Sequence, residues 1–135
     1  MGVNISILGS INLDTTYHIN HIPLPGETIH VKRETSAAGG KGANQAIAAQ
    51  RSGSFVHFIG SVGNDSAGQY MLKTMRKDGI DLSNVKVDLK DTTGAATILL
   101  NEKGQNSILV YSGANNSIDI KQIQKAKKRL LILIF

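Results

Sequence analysis

The stretch Gly39-Gly40-Lys41-Gly42-Ala43-Asn44-Gln45-Ala46 runs a glycine cluster straight into an alanine-rich segment with helical spacing. Glycine lets the backbone come close to a ligand, and the first turn of a helix offers N–H groups without intrahelical partners at the positive end of its dipole. A chain builds a polar cradle this way. Upstream, Gly9-Ser10-Ile11-Asn12-Leu13-Asp14 closes the first apolar run. In an extended segment Asn12 and Asp14, two residues apart, face the same side. Together the two clusters point to a small, hydroxyl-rich ligand.

Two common phosphate-binding motifs are excluded. A P-loop, G-x-x-x-x-G-K-[ST], ending at Gly40-Lys41 requires glycine at position 35, which is Thr35, and a hydroxyl after the lysine, where Gly42 stands. A dinucleotide fingerprint starting at Gly40 requires glycine or alanine at position 45, which is Gln45.

Working outward, residues 4–9 read as a short buried strand closed by glycine. Residues 15–22 alternate β-branched and aromatic residues with polar ones, as in a sheet with one wet face. Pro23-Leu24-Pro25-Gly26 is a turn, and a further extended run is expected at 27–36. Helical spacing follows at 41–52 and again at about 66–78, the second helix capped by Asn64 or Asp65 with Met71, Leu72 and Met75 inward. Strands are expected at 55–60 and near 84–88. A hairpin is expected at 95–100 and 106–111 around Asn101 to Gly104. Asn116 or Ser117 is expected to cap a last helix with Ile120 and Ile123 on its apolar face, before a closing buried strand at 130–135. Alternating strands and helices are the grammar of a parallel sheet covered on both faces. The polar-faced extended runs fit a separate side sheet or lid.

At 135 residues the chain is one domain by length, with room for a core. The core must be aliphatic, because only 4% of residues are aromatic. With no cysteine, disulfides and thiolate metal sites are excluded. The net charge of +5 is that of Lys121, Lys125, Lys127, Lys128 and Arg129 alone, so the main body is neutral. Phe135 is the only ring near that basic tail, so nucleic-acid binding is not expected. His18, His21, His30 and His57 show no paired metal-ligand spacing, and no metal site is expected. His18 and His21, three apart in an expected strand, would face opposite ways. No membrane span or signal peptide is expected, and the default location is cytoplasmic.

The glycine cluster, with Gly53 and Gly63 beyond it, resembles the first signature of the ribokinase-like family of carbohydrate kinases. Gly9 to Asp14, Pro25-Gly26-Glu27-Thr28, Gly63-Asn64-Asp65-Ser66, Thr93-Gly94-Ala95-Ala96 and Gly113-Ala114-Asn115 carry the resemblance over roughly residues 3–119. It implies an α/β, three-layer, Rossmann-like parallel sheet with a small β-sheet lid, formed here by segments 15–36 and 94–111. It also implies ATP-dependent phosphorylation of a sugar such as D-ribose to ribose 5-phosphate, with Mg²⁺ and a monovalent cation (K⁺). Asn12 and Asp14 resemble the pair that grips sugar hydroxyls. Gly40, Lys41 and Asn44, with Gly42 and Ala43 in the same motif, resemble the second clamp. Ala96 and Ile98 resemble the apolar lid contacts. The family's lid sheet implies a homodimer.

The family's second signature, which supplies the catalytic aspartate and the anion hole, has no match in this chain, nor does the acidic residue expected after the strand at 130–135. No catalytic residue is therefore assigned. The chain reads as the N-terminal portion of one sugar-kinase domain, truncated or frameshifted, and inactive alone. Two other readings stand beside it: a non-catalytic binding or dimerisation fragment, and a fructokinase or nucleoside-kinase relative.

Overall fold

The computed structural model describes residues 2–127 and 132–134. The chain order is β1 (Asn4–Leu8), β2 (Asn12–His18), β3 (Arg33–Gly39), α1 (Lys41–Arg51), β4 (Phe55–Gly63), α2 (Ser66–Lys77), β5 (Asp81–Asp88), β6 (Gly94–Leu100), β7 (Asn106–Tyr111), a 3-10 turn (Gly113–Ser117), α3 (Ile120–Ala126) and β8 (Ile132–Ile134). These strands form two four-stranded sheets.

The first sheet has the order β5-β4-β1-β8 and is parallel throughout. Along β1 and β4, residues alternate between two faces. Ile7, Val56, Phe58 and Val62 share one face with Ala43 and Ala46 of α1 and Met71 and Met75 of α2 in the main core. Ser6, Ile59 and Ser61 are buried on the other face. There Ser61 Oγ lies 2.8 Å from Ser117 Oγ, and Gln122 of α3 donates to the carbonyls of Gly60 and Asn84 at 2.6 and 2.7 Å. Helices thus cover both faces, because right-handed crossovers that step one way and then return must change sides. The result is the expected three-layer α/β arrangement with a parallel sheet.

The second sheet has the order β3-β2-β6-β7. Strand β2 pairs antiparallel with β3 and parallel with β6, and β6 forms a hairpin with β7. Here the expected boundaries needed correction. The strand expected at 15–22 starts at Asn12, so Asn12 and Asp14 lie inside it. The run expected at 27–36 is a strand only from Arg33, and extends to Gly39. Pro23 and Pro25 remove two ladder donors, and residues 19–32 form the connecting loop instead. His21 falls in that loop, where it pairs with Glu27, so the opposite-face argument for His18 and His21 does not apply.

Three further expectations shift. The strand near 84–88 begins at Asp81. Neither Asn116 nor Ser117 caps α3. Both belong to the 3-10 turn, and Asp119 caps the helix by accepting from Gln122 N–H at 2.8 Å. Ile120 is 71% exposed, and Ala126 is the buried residue of α3. Part of the strand expected at 130–135 lies outside the described residues. Within them, Ile132–Ile134 pairs parallel with Ser6–Leu8. Among the described residues, no helix is long and apolar enough to cross a membrane.

Candidate sugar-binding site

The glycine motif forms as its composition dictates. Strand β3 ends at Gly39, and Gly40 turns the chain into α1 with φ of 92°, a left-handed conformation that L side chains resist. A Cβ on Gly40 would lie 2.6 Å from Ser10 O and 2.9 Å from Asn12 N, and one on Gly42 would lie 2.6 Å from the Gly9 Cα. The absence of side chains at these positions lets α1 start against the β1–β2 connection. Ala43 N–H donates to Ser10 C=O at 3.0 Å and locks the contact.

Asn12 is the ladder partner of Gly39, and Asp14 of Ala37. The two clusters that lie some thirty residues apart in the sequence therefore meet in one place. Asn12 and Asp14 share a sheet face with Ala96 and Ile98, which sit opposite Asp14 and Thr16 on β6. Ala96 is buried and Ile98 half-buried. Lys41 and Asn44 stand exposed in the first turn of α1. That turn carries no acidic residue, and no side chain caps it.

Asp14 Oδ1 is buried and has no hydrogen-bond partner among the described residues. Burial pushes the Asp14 carboxyl above its ordinary pKa. A buried carboxylate oxygen without a partner costs stability unless a ligand or water donor supplies the missing bond.

Two residues of the motif have a structural task. Ala43 is 0% exposed, its methyl packs in the main core, and its N–H donates to Ser10 C=O. Gly42 is buried against Gly9, and it contributes backbone only.

Sequence reasoning missed Asn115 and Gly94. Asn115 donates from Nδ2 to Asn12 Oδ1 at 2.8 Å. A Cβ on Gly94 would lie 2.2 Å from that Nδ2. Both stand in segments noted for their glycines, but a contact across about a hundred residues of sequence leaves no local signal. At a second node the expected cap by Asp65 forms, and its link to Thr93 is what the sequence did not show. Asp65 caps α2 at Gly68 N–H and accepts from both the amide and the hydroxyl of Thr93, which itself accepts from Gly63 N–H. This ties the end of β4, the start of α2 and the entry to β6 together.

Comparison with known proteins gives the family. The pfkB family carbohydrate kinase model matches residues 4–132. The chain belongs to the pfkB family of carbohydrate kinases. It is 38% identical to a ribokinase of Schizosaccharomyces pombe over 134 residues, covering 95% of this chain and 42% of the relative. It is 38% identical to a ribokinase of Staphylococcus aureus over 128 residues, covering 94% of this chain and 42% of that one. The structure of Arabidopsis thaliana ribokinase complexed with ribose and ATP superimposes with a TM-score of 0.87 at 30% identity, over 99% of this chain and 45% of that protein. The chain thus spans about two fifths of the length of these relatives.

Proposed function

We propose that this chain is the sugar-holding portion of a ribose-phosphorylating kinase. The observation that carries the reading is the buried, unpartnered Asp14 Oδ1, set beside Asn12 and the uncapped start of α1. The ribokinase relatives, one of them complexed with ribose and ATP, support ribose as the sugar and ATP as the phosphoryl donor.

In this reading Asn12 and Asp14 bind neighbouring hydroxyls of the pentose. An amide and a carboxylate together provide the donor and the acceptors that a vicinal diol can satisfy. Gly40, Gly42, Lys41 and Asn44 hold the other side of the sugar through backbone approach, a cation and an amide. Ala96 and Ile98 close over the ring as apolar contacts, and the second sheet acts as a lid that positions the sugar and excludes water.

Proton removal from the attacking hydroxyl and stabilisation of the phosphoryl group are assigned to no residue of this chain. Mg²⁺ and K⁺ are likewise assigned to no residue of this chain; among the described residues no group of three or more His, Cys, Asp or Glu is placed to hold a metal ion. Ribose titrated into the ¹⁵N-labelled chain should shift resonances of residues 12–14 and 39–44. Fructose or adenosine competing more strongly than ribose would reassign the sugar. The 135-residue chain mixed with ribose, ATP and Mg²⁺ should produce no ADP above background, and turnover would overturn the assignment of catalysis elsewhere.

A second reading, a module that pairs through its lid sheet, is favoured by β7. This edge strand exposes Ile108, Leu109, Val110 and Tyr111. An exposed apolar edge invites strand or face pairing. Sedimentation of the native chain should show a concentration-dependent dimer that Leu109→Lys with Val110→Lys dissociates. A native chain that stays monomeric at high concentration would remove this reading.

A further inference from the structure

Asn115 is held by the main chain of Ile11. Its Oδ1 accepts from Ile11 N–H at 2.9 Å, and its Nδ2 donates to Ile11 C=O at 3.2 Å. A backbone N–H only donates and a backbone C=O only accepts, so these two bonds fix which end of the Asn115 amide is which. The same Nδ2 donates to Asn12 Oδ1 at 2.8 Å. The constraint therefore passes to Asn12. Its oxygen is engaged, and its Nδ2 is the end turned away from Asn115. Gly94 keeps the space for this pair, since a Cβ there would lie 2.2 Å from Asn115 Nδ2 and 2.3 Å from Asn12 Oδ1.

We propose that Asn115 is a positioning residue that sets the hydrogen-bond polarity of the sugar site. It orients Asn12 as a donor beside Asp14, whose buried Oδ1 is an acceptor. The proposal rests on the sugar-binding reading above. The matching ligand carries two neighbouring hydroxyls in different roles. One accepts a hydrogen bond from Asn12 Nδ2, and the other donates a hydrogen bond to Asp14 Oδ1. A sugar that lacks either hydroxyl leaves one of these groups unpaired.

Side-chain amide NMR on the ¹⁵N-labelled chain tests this. In the native chain without ligand, the Nδ2 protons of Asn115 should exchange slowly with solvent and those of Asn12 quickly. Asn115→Asp places a second acceptor against Asn12 Oδ1 and Ile11 C=O, so the Asn12 amide should reverse and its protons should become slow. Ribose affinity, read from the titration of the Asn12 amide, should then fall about tenfold or more. Native affinity in a folded Asn115→Asp chain would overturn the proposal. So would slow exchange at Asn12 with fast exchange at Asn115 in the native chain. If the variant does not fold, the native exchange pattern alone decides between these outcomes. A native chain that ignores ribose removes the sugar reading, while the exchange pattern still decides whether Asn115 orients Asn12.

Discussion

The carboxylate of Asp14 lies over the Cα of Gly39, so close that a Cβ on Gly39 would come within 2.2 Å of Asp14 Cγ and Oδ2. The two residues sit on neighbouring strands and share the face that carries Asn12. Glycine at 39 is what gives this carboxylate room. Gly39→Ala should therefore displace Asp14 and weaken ribose binding at least about tenfold, the cost of losing a charged hydrogen bond. Calorimetric titration checks it, and native affinity in the variant would show that Asp14 does not grip the ligand.

Asp14→Asn should raise the thermal midpoint at neutral pH while it weakens ribose binding. Burial lifts the folded pKa of Asp14 above its ordinary 3.8, so the folded chain holds this proton more tightly than the unfolded chain. Stability from this group is greatest below the unfolded value, falls as pH rises to the folded value, and stays lower beyond it. The native-minus-variant difference in melting temperature, followed from acid to neutral pH, should become more negative through that window. A constant difference would contradict the assignment.

Asp65 should behave in the opposite sense. Burial pushes its carboxyl up, but hydrogen bonds from the Thr93 hydroxyl, the Thr93 amide and the Gly68 amide outweigh this and hold it below the ordinary value. Its contribution is present above the unfolded pKa and is lost as pH falls through the folded one. Asp65→Asn turns a donor toward donors at a half-buried node and should cost about 1–2 kcal/mol in urea unfolding at pH 7. The variant should also lose the acid-side dependence that this group gives the native chain.

Gly42→Ala should destabilise the chain by about 1–3 kcal/mol, because the added methyl meets backbone atoms of Gly9 and Ser10 within 2.8 Å. Neither neighbour can move without shifting the start of α1. Chemical denaturation measures the loss. A neutral substitution would mean that the helix start tolerates displacement, and with it the whole cradle.

The sequence by itself determined much of the fold and the parts of the site that are local. Apolar runs, turn residues and helical spacing marked each element of the main sheet and its helices, since those patterns follow from pleat and helix periodicity. The glycine cluster at 39–42 and the spacing of Asn12 and Asp14 announced a polar cradle, since backbone permissiveness and strand alternation are properties of neighbouring residues. Tertiary structure decided what no window contains. It paired Asn12 with Gly39, placed β2 beside β6 in parallel, and moved the strand boundaries around Pro23 and Pro25. It buried Ala43 in the core, left Asp14 Oδ1 without a partner, and brought Asn115 onto Asn12. Those outcomes depend on which strands share a ladder, and that is settled by packing the whole chain rather than by any residue's own preference.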